Sequence, residues 1–398
     1  MRNIKGTWVK ALLSGALLAV LLAPSSPAAA VEDPPITAGA VFNDPLGTTS
    51  RQDAVKNHII KAIDSTQSGR TLRTAMYALT DTGYSDALRR AHARGVQVRV
   101  VLDHSFSTST AATQLTAALG TDRTQASWVH ICPQDRACIA DVTVDLGKNH
   151  INHNKFFLFS RVGDPGVAED VVIQTSANQT PANTSRFWNN AYTAVGNTEL
   201  YTAYTAYFND LAAERRDADY FRQGKTAGAE KYYFFPQSTG DLMVSVLGNV
   251  SCTGNSTVGS ASHKTVIRVA AYAFHRADVA AKLRQLADQD CWVEVVYNKT
   301  DELPALAGHP RIRPYQLRLD NGTATEGDDL FVHSKYLLIE GNYAGHPDTK
   351  WTFTGSHNLD LSSLRENDEA LLRVEGAAVH DAYRANFLAM RSHATLKG

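Results

Sequence analysis

One polar signature occurs twice in this chain at the same internal spacing, and such a duplication leaves few folds open. The first copy reads His153-Asn154-Lys155, then the apolar run Phe156-Phe157-Leu158-Phe159, with Ser176 and Asn178 beyond it. The second reads His333-Ser334-Lys335, then Tyr336-Leu337-Leu338-Ile339, with Ser356 and Asn358 beyond it. In both copies His to Lys is 2 residues, His to Ser is 23 and His to Asn is 25. Upstream, Arg73, Tyr77, Leu88, Val98 and Val100 recur 195 residues later as Arg268, Tyr272, Leu283, Val293 and Val295. The segments Thr71–Leu102 and Val266–Tyr297 each read as strand, amphipathic helix, strand, the pattern of a βαβ unit. The offset then falls from 195 to 180, so the second copy lacks about 15 loop residues. Strands alternating with helices, twice over, predict an α/β fold of two similar α-β-α lobes with mixed sheets. Packed about a pseudo-twofold axis, the lobes would form an active site at their interface.

The rest of the chain is read around that repeat. Arg2, Lys5 and Lys10 precede an apolar run from Ala11 to Ala23 and then Ala28-Ala29-Ala30, the layout of a secretory signal peptide cleaved near Ala30. Thirteen apolar residues fall short of the ~20 that span a bilayer. The organisation expected is therefore a signal peptide over 1–30, an N-terminal half over 31–225 and a C-terminal half over 226–398, secreted and extracellular. Beyond residue 30 there remain 36 basic and 40 acidic side chains, a net of −4, which argues against a general polyanion-binding surface. Four cysteines in an oxidising compartment imply two disulfides. Three pairings are possible, and proximity favours Cys132 with Cys138 and Cys252 with Cys291. The cysteines lack the spacing of a metal site. Helices are expected over Arg51–Ser65, Glu199–Arg216 and Ala378–His393, and a strand at Val171-Val172-Ile173. Ser105–Lys148 reads as a long insertion, a candidate lid.

Each His-x-Lys puts both side chains on one face of a strand, because alternation has period two. Where the two strand ends meet, two imidazoles, two ammonium groups and the amides of Asn178 and Asn358 would converge, with Ser176 and Ser356 close by. That set suits a phosphate diester. One neutral imidazole attacks phosphorus and becomes a phosphohistidine, and the other gives a proton to the leaving oxygen and then activates water or an alcohol. Lysines and asparagines hold the non-bridging oxygens. The chemistry needs no metal and no cofactor, and activity should peak between the two imidazole pKa values, near neutrality or somewhat below. His150, His357 and Trp188 are candidate lining residues, while Tyr272 and Phe274 are expected in the core.

At these residues the sequence resembles the phospholipase D superfamily, whose mark is His-x-Lys, four residues, Asp, followed by Gly-Ser-x-Asn. The second copy matches at His333, Lys335, Gly355, Ser356 and Asn358, and the first at His153, Lys155, Ser176 and Asn178. The resemblance implies the two-lobed fold and the phosphohistidine route, with His153 as nucleophile and His333 as acid. It also implies an orienting acid 11 residues after the motif Asn. Glu369 stands there in the second copy and Asn189 in the first. The motif Asp is replaced by Ser160 and by Glu340, and Thr175 stands where Gly355 does. An amide stabilises an imidazolium less than a carboxylate, so the two histidines should differ in basicity. The activity implied is hydrolysis of a phospholipid headgroup or its exchange for another alcohol, at a membrane or lipid aggregate, by a chain able to act as a monomer. A nuclease of the same superfamily, or a degenerate phosphate-binding module, is the alternative.

Overall fold

The run Phe156–Phe159 is apolar on both faces, which a strand tolerates only in the middle of a covered sheet. That is its position. The structure, a computed structural model, describes residues 1–3, 6, 36–141, 150–163, 167–320, 322 and 329–398. Strand Lys155–Val162 lies between antiparallel neighbours Ala168–Thr175 and Thr71–Met76. The whole sheet runs Trp128–Ile131, Gln97–Leu102, Thr71–Met76, Lys155–Val162, Ala168–Thr175, Asn190–Ala194, Gly39–Phe42. The second sheet contains the same order: Ile312–Gln316, Trp292–Thr300, Val266–Phe274, Lys335–Tyr343, His346–Gly355, Glu369–Glu375, Glu230–Phe235. It gains Thr395–Leu396 at one edge and Arg222–Lys225 at the other. In each lobe the βαβ pair and the pair beyond it, to Trp128–Ile131 or Ile312–Gln316, are parallel and the other pairs antiparallel, so both sheets are mixed.

Helices cover both faces of each sheet. In the first lobe Ala54–Asp64 buries Val55, Ile59 and Ile63 on one stripe and packs with Thr82–Ala93 and Thr110–Leu119 over one face. Asp81 caps Thr82–Ala93 by accepting from Gly83 N at 2.8 Å. Thr198–Ala212 covers the opposite face through Leu200, Tyr204, Tyr207 and Phe208. Ala277–Asp288 and Ala377–Ser392 do the same for the second sheet. The core does not stop at the boundary between lobes: Phe234, Ala370, Leu372 and Val374 pack against Tyr204, Tyr207 and Phe208.

One expectation changes here. The segment 105–148 is not one irregular insertion, because it holds helix Thr110–Leu119 and the edge strand Trp128–Ile131, the counterpart of Ile312–Gln316. Four residues with one polar interruption carry too weak an alternation to announce a strand. Residues 142–148 of that segment, and the signal-peptide stretch apart from 1–3 and 6, lie outside the described residues. The disulfides are Cys132–Cys138 and Cys252–Cys291. Among the described residues no helix is long and apolar enough to cross a membrane.

Candidate active site

Both His-x-Lys segments sit where a central strand enters its sheet, and each is stitched to the other lobe. His153 N donates to Asp368 O at 3.0 Å, and His333 N donates to Trp188 O at 2.9 Å. Residues 368 and 188 are equivalent under the repeat, so the two contacts are reciprocal. The same crossing sets the side chains. His153 Nδ1 lies 2.7 Å from Glu369 Oε1, and His333 Nδ1 lies 2.9 Å from Asn189 Oδ1. A carboxylate only accepts, so Nδ1 of His153 carries the proton. Asn189 Nδ2 donates to Asn183 O at 3.0 Å and Phe187 O at 3.2 Å, which fixes its oxygen toward His333 Nδ1–H. Both rings therefore carry the proton on Nδ1 and leave Nε2 as the basic nitrogen, which in His333 lies 3.4 Å from Lys335 Nζ.

The serines orient the orienting groups. Ser176 Oγ donates to Asn189 Oδ1 at 2.9 Å, and Ser356 Oγ donates to Glu369 Oε2. Each serine also accepts from a backbone amide, of Asn190 and Ala370 respectively. Both are fully buried, so their hydroxyls serve the dyads and not the cleft. Gly355, before Ser356, tolerates no side chain, because a Cβ there would stand 2.2 Å from Ala370 O. Asn178 Oδ1 and Asn358 Oδ1 are buried with no hydrogen-bond partner among the described residues; each is an acceptor, so an anionic ligand would be held by the Nδ2–H of these amides.

Lys155 and Lys335 donate to the carbonyls of His153 and His333 at 2.7 and 2.6 Å, and Lys335 Nζ lies 3.4 Å from His333 Nε2. Tyr77 and Tyr272 complete the set, with ring centroids 5.3 Å from His153 and 4.9 Å from His333. The two lysines lie over those same rings at 5.4 and 5.3 Å. Tyr272 thus lines the site and not the core, whereas Phe274 is in the core. The repeat match at Tyr77 and Tyr272 was the signal for this role. Of the lesser candidates, His150 faces Glu366 at 3.6 Å, and His357 is buried against Phe235 with its pKa lowered to about 3, by burial first and then by Arg276. Trp188 contributes its carbonyl, while its side chain packs in the second lobe's core.

Electrostatics follow from burying four basic groups together. Burial, and then Lys335, Lys155 and His153, push His333 well below the ordinary imidazole value. Burial also lowers His153, with Glu369 opposing. Lys155 falls to about 7 and Lys335 falls well below its usual range, each by burial first. Burial would raise Glu369, but His153 and Lys155 hold it at about 2. At rest the site is thus a carboxylate behind a neutral ring, with both imidazoles and both lysines shifted by burial toward their neutral forms.

The substituted motif positions lie elsewhere. Ser160 Oγ accepts from Thr71 N at 3.0 Å, and Glu340 binds Arg268 at 2.9 Å, both within the sheets. Sequence reasoning missed Asp103, whose carboxylate accepts from Asn152 N at 2.7 Å and steadies the residue before His153. It also missed Asp368.

The sequence matches the family described as cardiolipin synthase, PLD-like domain, over residues 59–212 and 257–391, well over half of the chain. Among solved structures, a phosphatidylserine synthase of Haemophilus influenzae Rd KW20 is similar at 13% identity and a TM-score of 0.58, over 90% of this chain and 87% of that one. A polyphosphate kinase of Porphyromonas gingivalis is similar at 10% identity and a TM-score of 0.55. That likeness covers 88% of this chain and 50% of the kinase, so this chain spans half of that protein's length. Likeness at such identities shows the fold. Among curated proteins none matches the sequence.

Proposed function

Because the chain belongs to the phospholipase D-like family, whose members act on phosphate diesters, we propose that it is a phospholipase D-type enzyme. It would release a phospholipid headgroup to water or exchange it for another alcohol, through a phosphohistidine. The observation that carries this reading is the pair of cross-lobe dyads, His153–Glu369 and His333–Asn189, with both Nε2 atoms left basic and Lys155 and Lys335 acting on both rings.

His153 is the nucleophile in this scheme. Attack by its Nε2 on phosphorus leaves the ring cationic, and the Glu369 carboxylate on Nδ1–H stabilises that charge as it develops. His333 is the acid. An imidazolium backed only by an amide is a stronger proton donor than one backed by a carboxylate. Its Nε2 proton passes to the leaving headgroup oxygen as the P–O bond breaks. The neutral ring then takes a proton from water or an alcohol, whose oxygen attacks phosphorus and breaks the P–N bond. A phosphate anion between Lys155 and Lys335 offsets the charges that hold His333 down, so substrate binding itself promotes protonation of the acid. Asn178 and Asn358 would hold non-bridging oxygens.

A lipid substrate is favoured over nucleic acid by the net charge of −4 beyond residue 30. Two disulfides and the N-terminal signature support an exported enzyme acting on a membrane or lipid aggregate. The test is headgroup release from mixed phosphatidylcholine, phosphatidylethanolamine and phosphatidylglycerol vesicles in EDTA, beside cleavage of DNA and RNA. Release that His153→Ala abolishes and His333→Ala lowers roughly 10²- to 10⁴-fold supports the proposal. Cleavage of nucleic acid alone with that same dependence would replace it.

A further inference from the structure

The segment carrying Glu369 is fastened by the residue before it. Asp368 follows the second lobe's helix Leu361–Arg365, yet its backbone and carboxylate bond to the first lobe. Its N–H donates to Ile151 O at 3.0 Å, and its carbonyl accepts from His153 N at 3.0 Å. Its carboxylate accepts from three consecutive amides, Cys138 N at 2.8 Å, Ile139 N at 3.1 Å and Ala140 N at 2.8 Å. Consecutive amides converging on one anion form a nest, and this nest begins at the cysteine that closes the Cys132–Cys138 loop.

The other half of the repeat shows that fold alone does not demand the arrangement. Trp188 occupies the equivalent place, and its carbonyl accepts from His333 N in the same way, but its side chain packs in an apolar cluster. The backbone stitch is duplicated and the carboxylate clamp is not. The ionisable groups bearing on Asp368 are Asp103 and the hydroxyls of Tyr207 and Tyr220, with Glu369 next in the chain. Among these groups none is a cation; burial raises the Asp368 carboxyl to about 7, and the three amides are what oppose that rise. A fully buried carboxylate without a cationic partner is costly, and an apolar residue would fill the space more cheaply.

We propose that Asp368 is a positioning residue: gripped by the amide nest of the disulfide loop, it holds the Glu369 carboxylate on His153 Nδ1, so that the Cys132–Cys138 bond governs the competence of His153. The inference rests on the reading of His153 as nucleophile. Loosening the loop lets the nest open, Asp368 shifts, and Glu369, one residue on, loses register with the ring. His333, whose partner Asn189 is held by Ser176 and by the carbonyls of Asn183 and Phe187, is outside this linkage.

Proton NMR of the downfield Nδ1–H resonance of His153, assigned by its loss in His153→Ala, reads the linkage without any substrate. In Asp368→Asn, and separately in the double variant Cys132→Ser/Cys138→Ser, that resonance should broaden or move upfield. On vesicles, kcat should fall roughly 10- to 100-fold with KM within about twofold, since a misplacement near 1 Å costs on that order. Combining the substitutions should add little, because both act through one contact. An unchanged resonance with normal kcat, even beside a lowered Tm, would overturn the proposal, as would losses that multiply. Should Asp368→Asn fail to fold, the cysteine variant carries the same readouts. If the wild type releases no headgroup, the functional reading fails, while the resonance still decides whether the clamp positions the dyad.

Discussion

Glu369 and Asn189 hold equivalent places, hydrogen-bond equivalent rings, and differ by one charge. In the proposed mechanism that charge divides the labour between His153 and His333, and it can be exchanged. Asn189→Asp puts a carboxylate on His333 Nδ1–H, raises the pKa of that ring, and should move the alkaline limb of the pH–rate profile upward by about one unit or more. An unmoved limb would mean that His333 is not the group titrating there. The sign follows from the mechanism: the acid must be protonated, so activity falls as pH rises through its pKa, and raising that pKa extends activity to higher pH. The lysines give a second outcome. Burial lowers Lys155 to about 7 and Lys335 well below its ordinary value, Lys155 adding to the second shift. An anion between them restores their protons, so orthovanadate or inorganic phosphate binding at pH 7.5 should take up protons. Calorimetry in buffers of different ionisation enthalpy measures that uptake, and an enthalpy independent of buffer would contradict it.

Glu340 shows why a motif position can change without harming the site. It pairs with Arg268, which also binds Glu294 at 2.9 Å, inside the second sheet. Its counterpart Ser160 accepts a backbone amide from Thr71 at the same register of the first sheet. These are two solutions to one local problem, the joining of the motif strand to its antiparallel neighbour, and neither touches the histidines. Glu340→Ala leaves Arg268 with half of its compensation and should cost about 2–4 kcal/mol of stability while kcat of the folded enzyme stays within about twofold. Thermal unfolding and vesicle kinetics on one preparation separate the two effects. The central strands were readable because burial on both faces makes them continuously apolar, and the helices because Val55, Ile59 and Ile63 keep a helical spacing. Trp128–Ile131 was not, since a four-residue edge strand is specified by its neighbour more than by its own pattern.

At the scale of the whole molecule, the pairing across lobes is the part that no linear pattern announced. The resemblance implied an orienting acid 11 residues after Asn358, at Glu369, but not which ring it would meet, because the answer depends on how the lobes pack. His153 meets Glu369 over 216 residues of chain, and His333 meets Asn189 over 144. The shared core around Tyr207, Phe208 and Leu372 fixes that packing, so each cleft is complete within one chain. The consequence is a test of assembly that needs no dissection of the fold. Full-length His153→Ala and His333→Ala, mixed in equal amounts, should recover no activity, because each monomer then lacks one of its own two imidazoles and has no route to borrow another. Recovery toward a quarter or more of wild-type rate, with a dimeric mass by light scattering, would mean instead that lobes exchange between chains, with the second lobe of one molecule seated on the first lobe of another. The buried boundary between lobes favours the closed monomer, since exchange would require both Asp368 and Trp188 to release the backbone contacts that they make to the partner histidines.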